Sequence, residues 1–211
     1  LKKRCKTISG LVRTWCALNP NFTLWRTIMK TCIATAPSLN IAIKTLIPKN
    51  SHVIISNLEH NSVLRPIIKL ANDGYLTYSV YNALTDIEKN IKCLIKADTR
   101  AIISTLASNV SGFEIPISIL SRVARENSIL FIADGSQLAG HKRIDLGKNP
   151  CDAFCAPGHK GLFGIQGVGF ICFAGETLPT KSFIEGGSGF HSKLPTMPNE
   201  LPELLEGGTL P

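Results

Sequence analysis

Lys160 stands in a loop bounded by glycines, Pro157-Gly158-His159-Lys160-Gly161, and Asp134 closes the apolar run Ile129 to Ala133. A lysine in such a loop is either solvated or held in a desolvated pocket, where it can lose its proton and form a Schiff base. A carboxylate at the end of a buried strand is costly without a partner. It is either a turn or helix-cap residue, or the partner of a protonated ring nitrogen.

Three further side chains admit the same pair of readings. His60, in Glu59-His60-Asn61, is a satisfied core histidine or a ring that stacks and moves protons. Asn109 and Gln137 are ordinary loop amides or hydrogen-bond donors to a phenolic oxygen. Pyridoxal phosphate (PLP) chemistry needs an imine-forming lysine together with an acid at the pyridinium nitrogen. Each residue is a weak signal alone, and their order along the chain is what joins them.

The elements that would position these residues follow from periodicity. Helices are expected over 38–47, ending before Pro48, and over 63–71, 86–95 and 116–127. Strands are expected over 52–56, 75–81, 101–106, 129–133, 152–156 and 168–173. Residues 1–33 show no clean period. The alternation from 38 to 134 predicts an α/β fold, a mainly parallel sheet with helices on both faces. In such sheets ligands bind beyond the carboxyl ends of strands. The polar clusters at Glu59-His60-Asn61, Ser108-Asn109, Asp134 and Gly158-His159-Lys160 all fall there.

Composition bounds the class. With 44% hydrophobic and 18% charged residues among 211, the chain is globular rather than disordered. The longest apolar runs are too short to span a bilayer, so no membrane partner is expected. The net charge is +8, yet residues 1–50 hold nine Lys or Arg and no acid, while 51–211 hold 14 basic against 15 acidic groups. An excess confined to one stretch with few aromatics gives no case for nucleic acid as a partner. The start, Leu1-Lys2-Lys3-Arg4, is basic but has no apolar stretch behind it, so no secretory signal is expected from it. Seven cysteines without a CxxC pair argue against zinc and suit a reducing, cytoplasmic setting.

Five blocks carry a resemblance: Glu59-His60-Asn61-Ser62-Val63-Leu64-Arg65-Pro66, Ser108-Asn109-Val110-Ser111-Gly112, Ala133-Asp134-Gly135-Ser136-Gln137, Gly158-His159-Lys160-Gly161-Leu162 and Glu206-Gly207-Gly208-Thr209. In this order they resemble fold-type I PLP enzymes of the aminotransferase class V family, on its cysteine desulfurase and selenocysteine lyase branch. The resemblance implies a large PLP-binding domain over 36–211, preceded by a poorly matching basic stretch over 1–35. It implies that Lys160 forms the imine and moves the Cα proton, that His60 stacks on the ring, and that Asp134 pairs with its nitrogen. Asn109 and Gln137 would lie on the ring-oxygen side, and His159 would help hold the phosphate.

Two glycine-rich stretches, with Gly187, Ser188 and Thr209, would approach the phosphate or a partner's site. The family usually places a threonine in a phosphate-binding turn where this chain has Ala36, so Thr35 or Ser38 is expected to substitute. Both ends read as cut. The family's small C-terminal domain, with its substrate-binding arginine and sulfur-accepting cysteine, is expected outside this sequence. Cys151, Cys155 and Cys172 are expected to be core residues. The function implied is cysteine desulfuration: L-cysteine to alanine and an enzyme persulfide, in a homodimer that passes sulfur to an acceptor protein. The alternatives are selenocysteine lyase, another class V reaction, or an inactive fragment.

Overall fold

The structure is a computed structural model and describes residues 25–32, 35–174, 177–186, 195–201 and 203–205. The elements run β1 (Trp25–Cys32), α1 (Thr35–Leu46), β2 (Ser51–Ser56), α2 (Asn61–Asn72), β3 (Leu76–Tyr81), α3 (Ile87–Lys92), β4 (Thr99–Thr105), α4 (Ile117–Glu126), β5 (Leu130–Asp134), β6 (Ala153–Pro157) and β7 (Gly169–Ala174). A 3-10 turn lies at Glu203–Leu205. Every expected helix and strand is present, with ends moved by a few residues. The caps explain some of these ends. Asp86 accepts from the Lys89 amide and starts α3, and Cys93 closes it.

The strands form one seven-stranded sheet in the order β1-β7-β6-β5-β4-β2-β3. The β2–β3, β2–β4, β4–β5 and β5–β6 pairs are parallel. Strand β7 runs antiparallel to both β6 and β1. Strand β1 is the element that periodicity did not show. It pairs along the edge with β7, Trp25 opposite Ala174, a partner some 150 residues away in the chain.

The side-chain alternation of the central strands feeds two cores. Ile54, Ile102, Phe131 and Phe154 face Ile91 of α3 and Leu120 and Val123 of α4. Val53, Ile55, Ile103 and Ile132 face Leu39 and Ile43 of α1 and Val63 and Ile67 of α2. Helices therefore cover both faces, and the buried strands read as continuous apolar runs for that reason. His52 is a buried polar residue within β2, which Ser51 and Ser56 bound. Its ring nitrogens meet Thr99 Oγ1 at 2.8 Å and Ser79 Oγ at 2.9 Å, and burial lowers its pKa. No described helix is long and apolar enough to cross a membrane.

Phe154 anchors the site side of the first core. It is fully buried, its ring centroid lies 6.2 Å from that of Phe170, and the Gly135 backbone passes directly over the ring. Truncating it leaves a cavity beneath the strand ends. Phe154→Ala is expected to lower unfolding free energy by about 3–5 kcal/mol, measured by urea denaturation.

Candidate active site

The parallel strands β2, β4, β5 and β6 end along one edge of the sheet. Thr105 at the end of β4 lies opposite Asp134 at the end of β5, and Asp134 lies opposite Cys155, two residues before the end of β6. Residues from the loops after each of these strands line a cavity of about 270 Å³. Six of the residues singled out from the sequence line it: His60, Asn109, Asp134, Gln137, His159 and Lys160. Thr35 opens α1 and its neighbour Ala36 lines the cavity. The Thr35 side chain, together with Gly187, Ser188 and Thr209, lies outside the described residues.

Each wall has a local cause. His60 is in extended conformation and caps α2, its Nδ1 accepting the Ser62 amide at 3.1 Å. Lys160 sits in the connection between β6 and β7. Gly158 N donates to Val168 O at 2.7 Å, Gly164 N to Gly158 O at 2.6 Å, and Phe163 N to Lys160 O at 2.9 Å. These bonds fold the connection tightly around the lysine.

Gly161, which follows the lysine, is required by close approach. A Cβ on Gly161 would lie 2.5 Å from Ala139 O and 2.8 Å from the His141 ring. Gly140 has φ +88°, and a Cβ there would overlap the Gly161 carbonyl. Two loops thus touch backbone to backbone, and the contact brings Lys160 beside the residues after β5.

Asp134 is 2% exposed. Its Oδ1 accepts the Ser136 amide at 2.9 Å and the Ser136 hydroxyl. Burial raises its pKa, while the Ser136 bonds and the charges of Lys160 and His60 oppose the rise. The carboxylate therefore faces a cationic environment across the cavity. His159 Nδ1 is buried there with no partner among the described residues.

Sequence reasoning passed over Glu59, Thr105 and Ser136. Ser136 and Thr105 line the cavity, and Glu59 lies behind it. Thr105 and Ser136 were legible only through their neighbours, and Glu59 only as the acid that precedes His60. A larger open recess, about 500 Å³, lies on α3 among Asp86, Glu88, Lys89, Lys92 and Cys93. It is a solvated charged face, where Lys92 and Arg122 pair with Glu88. Among the described residues no group of His, Cys, Asp and Glu is arranged to hold a metal ion.

A parallel sheet with one reversed strand, and a buried acid and a loop lysine meeting at its carboxyl edge, define a class of α/β enzyme-like domain. Residues 25–211 match the aminotransferase class-V family, and the chain belongs to that family. It is 34% identical over 139 residues to the cysteine desulfurase IscS of Buchnera aphidicola subsp. Acyrthosiphon pisum, covering 63% of this chain and 34% of that protein. Against the IscS of Dictyoglomus turgidum it is 32% identical over 162 residues, or 74% of this chain and 41% of that one. The chain thus spans well under half the length of these relatives. The fold matches the cysteine desulfurase CsdA of Escherichia coli with a TM-score of 0.82 at 20% identity, over 99% of this chain and 53% of that one. The apo cysteine desulfurase of Thermococcus onnurineus NA1 gives 0.68 at 23%, over 89% and 48%. The family match begins at residue 25, where β1 starts and where the sequence showed no period.

The Gly161 contact offers a test of this arrangement that needs no ligand. Gly161→Ala forces two backbones apart and is expected to cost about 1–3 kcal/mol, the range for overpacking. Urea unfolding reads the loss. An unchanged midpoint would mean that the loops do not touch.

Proposed function

We propose that the cavity holds PLP and that the whole protein cleaves the C–S bond of L-cysteine, giving alanine and an enzyme persulfide. The observation that carries this reading is the meeting of Lys160 and the buried Asp134 across one cavity, with the unpartnered His159 Nδ1 in its wall. A buried nitrogen without a partner fits a group that an acceptor would complete. The donor set also fits: an amine, a carboxylate, two amides and two imidazoles suit a charged aromatic aldehyde bearing a phosphate. Where bound, PLP supplies an electron sink for bonds at a substrate's α-carbon.

The chain's own residues then divide the work. Lys160 Nζ anchors the group, and takes and returns the proton at the substrate Cα. Asp134 keeps a proton on the ring nitrogen, a role for which a buried carboxylate in a cationic field is suited. His60 covers the ring face and presents Nε2 for proton transfer. Asn109 and Gln137 donate to the ring oxygen.

His159 and the first turn of α1 receive the phosphate, helped by Thr35 and by Thr209. A helix N-terminus favours an anion through its free N–H groups. Ala36 offers no hydroxyl at that turn. Ser38 does, and its Oγ is buried with no partner among the described residues.

The relatives named cysteine desulfurase support L-cysteine as substrate, with selenocysteine as the competing one. Cys151, Cys155 and Cys172 are buried core residues, and Cys93 borders the recess on α3 rather than this cavity. The sulfur-accepting cysteine and the arginine for the substrate carboxylate are therefore assigned outside the described residues. Val110 and Phe163, each 90% exposed, flank Asn109 and Lys160, which supports a second copy of the chain covering the site. A sulfur-acceptor protein is the other partner this reaction requires.

Incubation with PLP, borohydride reduction and peptide mapping test the proposal. Label confined to Lys160, abolished in Lys160→Ala and weakened in Asp134→Ala, is the expected result. Scattered label or none would overturn it. In the whole protein, alanine and sulfide release from cysteine, weighed against selenide release from selenocysteine, fixes the substrate.

A further inference from the structure

Behind the cavity wall lies a second acid that the catalytic reading does not use. Glu59 is 8% exposed and sits between Ser56, the last residue of β2, and His60, the cap of α2. Its Oε1 accepts the Ser56 hydroxyl at 2.5 Å and the Thr105 amide at 2.8 Å. Its Oε2 is buried with no partner among the described residues. The Thr105 bond crosses 46 positions of sequence and ties the His60 loop to the end of β4. Thr105 Oγ1 in turn donates to Ala107 O at 2.8 Å, in the stretch that leads to Asn109. One carboxyl group therefore links two walls of the cavity.

We propose that Glu59 is a positioning residue: as a neutral carboxylic acid it clamps the His60 loop to β4 and leaves the negative charge of the buried acid pair on Asp134. The clamp's importance for chemistry rests on the proposed use of the cavity, whereas the charge assignment does not. A buried carboxylate with one bare oxygen loses hydration on that oxygen without compensation, and the neutral acid costs far less. The charge of Asp134 adds to the cost of ionising Glu59. Asp134 has the two Ser136 donors and faces the charges of Lys160 and His60, so the charge belongs there. The ionisable groups facing Glu59 are Asp134 at the end of β5, whose negative charge disfavours a second one, and Tyr81 at the end of β3, a phenol that burial keeps neutral. Burial is the main cause that pushes the Glu59 pKa up to about 8.

The sign of the pH dependence follows. A carboxyl raised in the folded state gives stability that is fully present below the unfolded value near 4.5 and is lost as pH rises toward about 8. Asp134 contributes with the same sign. Glu59→Gln should therefore lose less stability between pH 5 and pH 8 than the wild type, without becoming flat.

Infrared spectroscopy of the 211-residue chain without PLP reads the proton directly. At pH 6 the wild type should show a carboxylic-acid C=O band that is absent in Glu59→Gln, retained in Asp134→Asn, and lost as pH passes about 8. No band in the wild type, or a band lost in Asp134→Asn and kept in Glu59→Gln, would overturn the charge assignment. If Glu59→Gln does not fold, the wild-type titration and Asp134→Asn decide the matter.

Hydrogen exchange at the Thr105 amide tests the clamp. It should quicken about tenfold in Glu59→Ala and stay near wild type in Glu59→Gln, whose amide oxygen still accepts. Equal exchange in both variants would overturn it. None of these readings depends on PLP, so failure of the cofactor assignment and failure of this one are separable.

Discussion

The interaction on which the site depends is the placement of the Asp134 carboxylate at the end of β5, out of water and within the field of a lysine from another loop. Burial opposes ionisation there, and Ser136, Lys160 and His60 oppose the burial. Remove any of these and the acid becomes either a neutral group or an uncompensated charge in the core. The sheet supplies the geometry for this balance. Strands β4, β5 and β6 run in parallel and end side by side, so their following loops meet without long excursions.

The second constraint is steric. Lys160 reaches the site only because the connections after β5 and β6 press backbone against backbone. Gly140 and Gly161 lie at that contact, where a methyl group would strike a carbonyl. Gly135 performs a related service over the Phe154 ring. Core packing and site geometry are therefore one structure: the ring that fills the first core is the surface on which the Asp134 turn rests. The reversed strand β7 closes the arrangement, because its antiparallel pairing with β6 returns the chain tightly after Lys160.

The central elements were legible in the sequence because their burial is nearly total. Strands such as Ile129 to Ala133 read as apolar runs, and the helix expected over 38–47, observed as α1, stops before Pro48. The six cavity residues were legible because each directly follows such a strand or lies in the loop after it. Strand β1 was not legible. It lies at the sheet edge, mixes Arg26, Lys30 and threonines with apolar residues, and is made by pairing with a strand far along the chain. Glu59 was visible as a polar residue but not as a buried one, since its burial and its Thr105 partner depend on tertiary contact. The reversal of β7 likewise follows from pairing rather than from any pattern within its own six residues.

The claim at the centre of this account is that Asp134 is held ready for a protonated ring nitrogen. Nitrogen-15 NMR of the chain loaded with ring-labelled PLP measures that proton most directly. The account predicts a pyridinium-like shift at neutral pH that moves toward the unprotonated pyridine value in Asp134→Asn. A pyridine-like shift in the wild type, or one indifferent to Asp134, would contradict it.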